Sequence, residues 1–194
     1  TMSSKEFFTL AVDCMGGDHG PSVTLPACRH FLDTHPDARL RLVGRAVDLA
    51  SFQHERAVVV VATEVVGMDD PVEVALRKKK DSSMRIAIEQ VKSGEADAAV
   101  SAGNTGALMA VAMLRLRKLP GVNRPAIACY WPSRNPAGFN VMLDVGADIK
   151  ADAADFLQYA AMGASYARNS LNLPRPRVGL LNVGTEEHKG RAEL

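Results

Sequence analysis

Short apolar runs alternate with helix-period segments along the whole chain, and that alternation constrains the fold more than any other feature. Strands are expected at Phe7–Val12, Leu40–Val43, Val58–Thr63, Ala98–Ser101, Ala126–Trp131, Phe139–Asp144 and Val178–Val183. Helices are expected at Pro21–Thr34, Val47–Gln53, Val72–Arg77, Ser83–Lys92, Thr105–Leu119 and Asp152–Leu171. Strand, helix, strand with short polar connections is the pattern of an α/β fold, a mostly parallel sheet covered on both faces. Asp81 or Ser82 suits the N-cap of the helix near Met84, and Gly94 suits its stop. The segment SRNPAG between two of the strands is a turn, which makes them a local hairpin. No internal repeat or low-complexity linker divides the 194 residues, so one domain is expected.

Aromatic residues make up only 5% of the chain, which disfavours an all-β fold, and a net charge of +1 gives no pull toward nucleic acid. Cys14, Cys28 and Cys129 are scattered at no metal-ligand spacing, which points to free thiols in a reducing, cytoplasmic setting. No window approaches the length of a membrane span. The chain stops after TEEHKGRAEL with no helix to cover the preceding strand, so a truncated protein is expected.

Four strand-end loops carry the chemistry, because ligands of open α/β sheets sit beyond the carboxyl ends of strands. In AVDCMGGDHGP, Asp13 ends a strand, and Gly16, Gly17 and Asp18 follow. Adjacent glycines permit close backbone approach, but an acid on either side does not make a simple phosphate loop. In SAGNTGALMA, Gly103 and Gly106 clear space, and Ser101, Asn104 and Thr105 offer hydrogen bonds. The free amides at the following helix start suit an anion; the competing reading is a helix merely capped by Asn104 or Thr105. In LDVGAD, Asp144 and Gly146 repeat the acid-then-glycine turn, which a structural Asx turn would also explain. In LLNVGTEEHKG, Asn182, Gly184, Glu186, Glu187, His188 and Lys189 follow the last strand, where an ordinary solvated loop is the alternative. The chain has no G-x-G-x-x-G after its first strand, no P-loop and no G-x-S-x-G elbow.

AVDCMGGDHGPSVTLPA, KKDSSMRIAIEQVKSGEADAAVSAGNTGALMA, VMLDVGAD and RVGLLNVGTEEHKG, in that order, resemble the bacterial phosphate acyltransferases of fatty acid and phospholipid synthesis. Asp148 departs from the pattern, standing where that family commonly has Asn. The resemblance implies an α/β/α sandwich with a mostly parallel sheet, like phosphotransacetylase and the isocitrate and isopropylmalate dehydrogenases. It makes residues 1–194 the N-terminal portion of a single domain, with the C-terminal portion absent. The implied reaction passes a long-chain acyl group from acyl carrier protein to inorganic phosphate, with no metal or other cofactor. The implied protein is a cytoplasmic homodimer, peripherally associated with the inner membrane through the missing portion. Catalytic roles then fall to Lys189, Asn182, Asp13 and Asp144. Substrate binding falls to Gly16, Gly17, Asp18, Ser101, Asn104, Thr105, Gly106, Gly146, Gly184 and Glu187. On this reading the Asn104–Gly106 amides and Lys189 face phosphate, and the acids orient donors or accept the proton of phosphate. The rival readings are a phosphotransacetylase acting on acyl-CoA, a metal- and NAD-dependent decarboxylating dehydrogenase sharing only the fold class, and a non-catalytic scaffold fragment.

Overall fold

The computed structural model describes residues 7–145 and 151–181. The chain divides into two compact units, Thr1–Arg117 and Lys118–Leu194.

The first unit is built on a four-stranded parallel sheet. Its strands are β1 (Phe8–Asp13), β2 (Ala38–Gly44), β3 (Ala57–Val61) and β4 (Ala98–Ser101), in the order β3-β2-β1-β4. Five helices accompany them: α1 (Pro21–Thr34), α2 (Ala46–Leu49), α3 (Val72–Arg77), α4 (Ser83–Lys92) and α5 (Thr105–Leu116). Side chains of β1 alternate between two cores, as a strand buried on both faces requires. Leu10 and Val12 pack with Cys28 and Leu32 of α1, whereas Ala11 packs with Val43, Ala62 and Ala87 of α4. Arg56 ties the end of α1 to the sheet, donating to Leu32 O at 2.5 Å and Ala38 O at 3.0 Å.

The strand order places the active edge. The chain lays down β1, β2 and β3 in one direction and then crosses to put β4 on the other side of β1. The loops leaving β1 and β4 therefore lie side by side at the carboxyl ends of the sheet, at its topological switch point, where ligands of such sheets bind. Asp13 and Ser101, the last residues of these strands, are register partners.

The second unit contains the expected hairpin, β5 (Ala128–Pro132) antiparallel to β6 (Phe139–Leu143), followed by α6 (Ala153–Ser170). Asp152 and Asp155 cap α6 reciprocally: Asp152 accepts from Asp155 N–H at 2.9 Å, and Asp155 accepts from Asp152 N–H at 3.2 Å. Tyr130 of β5 and Tyr166 of α6 share a hydroxyl hydrogen bond of 2.9 Å.

Most boundaries shift by one or two residues, and three elements differ further from expectation. The helix expected at Val47–Gln53 is the single turn α2, after which Phe52 folds back into the α1 core. The helix expected to reach Leu119 ends at Leu116, because Arg117 adopts a left-handed backbone (φ 68°) that α-helix cannot continue through. Residues 178–181 form no strand, and the remainder of the segment expected at Val178–Val183 lies outside the described residues. Among the described residues no helix is long and apolar enough to cross a membrane.

Candidate active site at the ends of β1 and β4

Asp13 closes β1 as a buried carboxylate, only 2% exposed. Its Oδ2 accepts the Ser101 hydroxyl proton at 2.7 Å, and its Oδ1 accepts from the Met15 N–H at 3.2 Å. Ser101 Oγ in turn accepts from the Gly103 N–H at 3.1 Å. One carboxylate thus clasps the loops after two neighbouring strands. Burying such a charge is tolerated only when its oxygens are occupied in this way.

The glycines let the loops close over that clasp. A Cβ on Gly16 would stand 2.7 Å from Asp13 Oδ2, 2.8 Å from Gly103 N and 3.0 Å from Ser101 Oγ. Gly17 has φ +87°, and a Cβ there would meet Ala102 O at 3.1 Å. Gly16 and Gly103 therefore bring two backbones together where any side chain would separate them. Thr24 of α1 pins the same loop, its hydroxyl donating to Cys14 O at 2.8 Å. The Cys14 thiol, next to Asp13, is pushed far above the usual thiol range by its hydrogen bond with Cys28 and by burial. Such a thiol is no nucleophile. Asp18 and His19 are exposed at the loop tip.

Asn104 is the N-cap of α5, accepting from the Ala107 N–H at 3.0 Å. Its Nδ2 donates to Met68 O at 2.8 Å and Asp70 O at 3.1 Å. The carboxamide is thereby committed to the cap and to the loop after β3. The N–H groups of Thr105 and Gly106, both exposed, have no intrahelical acceptor. They sit at the positive end of a twelve-residue helix.

A cation that the motif reading missed stands beside this turn. Lys79 pairs with Asp70 at 2.5 Å and donates to Val65 O at 2.7 Å. The Lys79 ammonium and the Gly67 N–H hold the Asp70 carboxyl below its ordinary range. The run KKKD is its sequence signal, but nothing in the run tells which lysine turns inward.

The structure thus brings together Asp13, Gly16, Gly17, Ser101, Asn104, Thr105 and Gly106, with Asp18 at the rim of the same loop. Asp144 follows β6 in the second unit; its Oδ1 accepts from the Ile127 N–H at 3.4 Å, while its buried Oδ2 has no partner. Gly146, Asp148, Asn182, Gly184, Glu186, Glu187, His188 and Lys189 lie outside the described residues. Among the described residues no group of three or more His, Cys, Asp or Glu side chains is placed to hold a metal ion.

A solved structure of EutD phosphotransacetylase from Staphylococcus aureus has a similar fold, with a TM-score of 0.58 at 15% identity, over 84% of this chain and 54% of that one. Phosphate acyltransferases from Delftia acidovorans and Paracoccus denitrificans are each 61% identical to the chain. The Delftia match covers 94% of this chain and 52% of the relative, and the Paracoccus match 95% and 52%. A phosphate acyltransferase from Ruegeria sp. is 59% identical over 95% of this chain and 51% of its own length. The chain therefore spans about half the length of these relatives. A family model described as fatty acid synthesis protein matches residues 8–194, and the chain belongs to that family.

Proposed function

We propose that the protein to which this chain belongs transfers a long-chain acyl group from acyl carrier protein to inorganic phosphate, giving the acyl phosphate used in phospholipid synthesis. The observation that carries the proposal is the pair of loops at the ends of β1 and β4, where the Asp13–Ser101 clasp holds two glycine turns beside the first-turn amides of Thr105 and Gly106. Relatives named phosphate acyltransferase at about 60% identity support the choice of reaction.

The chemistry asks little covalent work of the protein. A phosphate oxygen attacks the thioester carbon, the C–O bond forms, and the oxyanion collapses with cleavage of C–S. The proton of HPO₄²⁻ ends on the departing thiol, so atoms and charge balance. Catalysis then rests on holding phosphate close and stabilising the oxyanion. The Thr105 and Gly106 N–H groups hold phosphate, Gly16 and Gly17 keep the approach clear, and Asp13 orients the loops through Ser101. Lys189 screens the phosphate charge, Asn182 donates to the oxyanion, and Asp144 orients donors, roles that rest on the resemblance. Asp18, Gly146, Gly184 and Glu187 remain assigned to substrate contact on the same ground. Both units belong to one phosphate acyltransferase domain in this reading, in a cytoplasmic homodimer bound peripherally at the membrane.

The test is an assay of the purified full-length protein with acyl carrier protein thioester, phosphate and EDTA, trapping acyl phosphate with hydroxylamine. Sustained product formation is expected. Activity only with acetyl-CoA would install the phosphotransacetylase reading instead, and strict dependence on Mg²⁺ or nicotinamide nucleotide would overturn both.

A further inference from the structure

The first turn of α4 holds a concentrated set of unmet hydrogen-bond donors. Ser82 is its N-cap, with the extended backbone that capping uses (φ −72°, ψ 145°), yet its side chain makes no capping bond. Ser82 and Ser83 are 0% and 1% exposed, and neither hydroxyl has a partner. Buried hydroxyls are hydrogen-bonded as a rule, so two adjacent orphans call for a physical reason. Helix geometry leaves the Met84 and Arg85 N–H groups without intrahelical acceptors too. The Ser83 N–H, by contrast, is taken by Glu64 O at 3.0 Å.

The neighbouring acids are committed elsewhere. Asp81 accepts from the Thr63 N–H at 2.8 Å and from its hydroxyl at 2.5 Å, and Glu64 accepts from the Asp81 N–H at 2.8 Å. What this turn lacks is an acceptor, and it lies at the positive end of a ten-residue helix. It also abuts the proposed phosphate loop, since a Cβ on Gly103 would stand 2.9 Å from Met84 Cε.

We propose that the N-terminus of α4 is a second phosphate-binding site, in which the hydroxyls of Ser82 and Ser83 and the N–H groups of Met84 and Arg85 hold a phosphate group. That group is either free phosphate or one carried by the acyl donor, an assignment that rests on the acyl transfer reading. Both hydroxyls are sealed in this structure, so occupancy requires the packing around Met84, which includes Val66, to loosen. Phosphate then completes the cap that Ser82 leaves open.

The test measures binding of inorganic phosphate to the full-length protein by calorimetry, in the parent and in the S82A/S83A double variant. The parent should bind one more phosphate per subunit than the variant. The melting temperature without phosphate should not fall, because alanine removes hydroxyls that have no partner. If the double variant does not fold, each single alanine variant should weaken the same site at least tenfold. Kinetics separate the two sources: a tenfold rise in KM for phosphate assigns the free anion, and a tenfold rise in KM for the acyl donor assigns the carried one. Loss of this binding in a protein without acyl transfer activity would keep the site and remove the reaction. Parent-like phosphate stoichiometry and affinity in the variants would overturn the site.

Discussion

Gly16→Ala tests whether the two glycine loops work as a facing pair. The new methyl carbon would stand 2.7 Å from Asp13 Oδ2 and 2.8 Å from Gly103 N. That is roughly 0.7 Å inside the near edge of ordinary contact, about 3.5 Å. Neither neighbour is free to give: one is a buried carboxylate held by two hydrogen bonds, and the other is backbone. Overpacking of this kind costs about 1–3 kcal/mol. At roughly 1–2 °C per kcal/mol for a protein about twice this chain's length, the melting temperature should fall by about 1–6 °C. The loops should part by about the same 0.7 Å. Since a 1 Å misplacement can cost on the order of 10² in rate, kcat/KM should fall about 10- to 100-fold. Gly94→Ala is the control, because Gly94 has φ +79° with open space around it. It should lose about 1–2 kcal/mol from left-handed strain alone and keep parent kinetics. Thermal denaturation and steady-state kinetics on the full-length protein read both effects. A Gly16→Ala variant with parent-like kcat/KM would refute the close approach of the two loops as a catalytic requirement. Equal kinetic loss in Gly94→Ala would show that the assay reports stability rather than the site.

Asn104 separates capping from ligand binding: Asn104→Ala should cost about 0.5–2 kcal/mol through the lost cap. Asn104→Asp keeps the cap acceptor but loses the Nδ2 donations to Met68 O and Asp70 O and puts a negative charge beside Thr105 and Gly106, so its melting temperature should fall as well, while its KM for phosphate rises at least tenfold above that of Asn104→Ala. The Asp70 carboxyl is held below its ordinary range by Lys79 and the Gly67 N–H. Its folded value lies under its unfolded one, so the stabilisation is present above the unfolded value and is lost as pH falls through the folded one. Lys79→Ala should move the Asp70 titration, followed by carboxyl NMR, back toward the ordinary value; no movement would deny the ion pair. Lys189→Ala should lower kcat/KM by roughly 10²–10³ with the melting temperature unchanged, as for one lost transition-state donor. Kinetics within threefold of the parent would remove Lys189 from the mechanism.

The parallel sheet was legible because β1, β2 and β4 are apolar runs that recur with helix-period segments between them. The loops were legible because paired glycines at strand ends are poor in any other role. The Asp13–Ser101 clasp was not, since 88 residues separate the partners and only the strand order makes them neighbours. The two donations from Asn104 escaped for a similar reason, because their acceptors are backbone carbonyls at Met68 and Asp70 that no side-chain pattern marks. The short α2 reflects tertiary packing winning over local propensity, as Phe52 trades helix continuation for burial. Ser82 was legible as a cap position, but its failure to cap is a property of the folded state alone.

An acid at the floor of the proposed anion site looks contradictory until the donors are counted one by one. Asp13 takes the Ser101 hydroxyl and the Met15 N–H, and Ser101 takes the Gly103 N–H. Asn104 spends its carboxamide on Ala107, Met68 and Asp70. Every donor consumed by the scaffold is one an incoming anion cannot use, so on the proposed reading the ligand of this loop is left the first-turn amides of α5, Thr105 and Gly106. On the proposed reading the carboxylate selects where phosphate binds by removing the competing positions nearby. It also fixes the loop that presents the remaining ones, so that little reorganisation is left for the moment of reaction. Asp13→Asn separates this bracing role from a proton-accepting one. An amide oriented to accept from Ser101 preserves half of the clasp but cannot take a proton. A brace should therefore show raised KM for phosphate with the parent's pH profile retained, and a base should show kcat collapsing with the acidic limb lost.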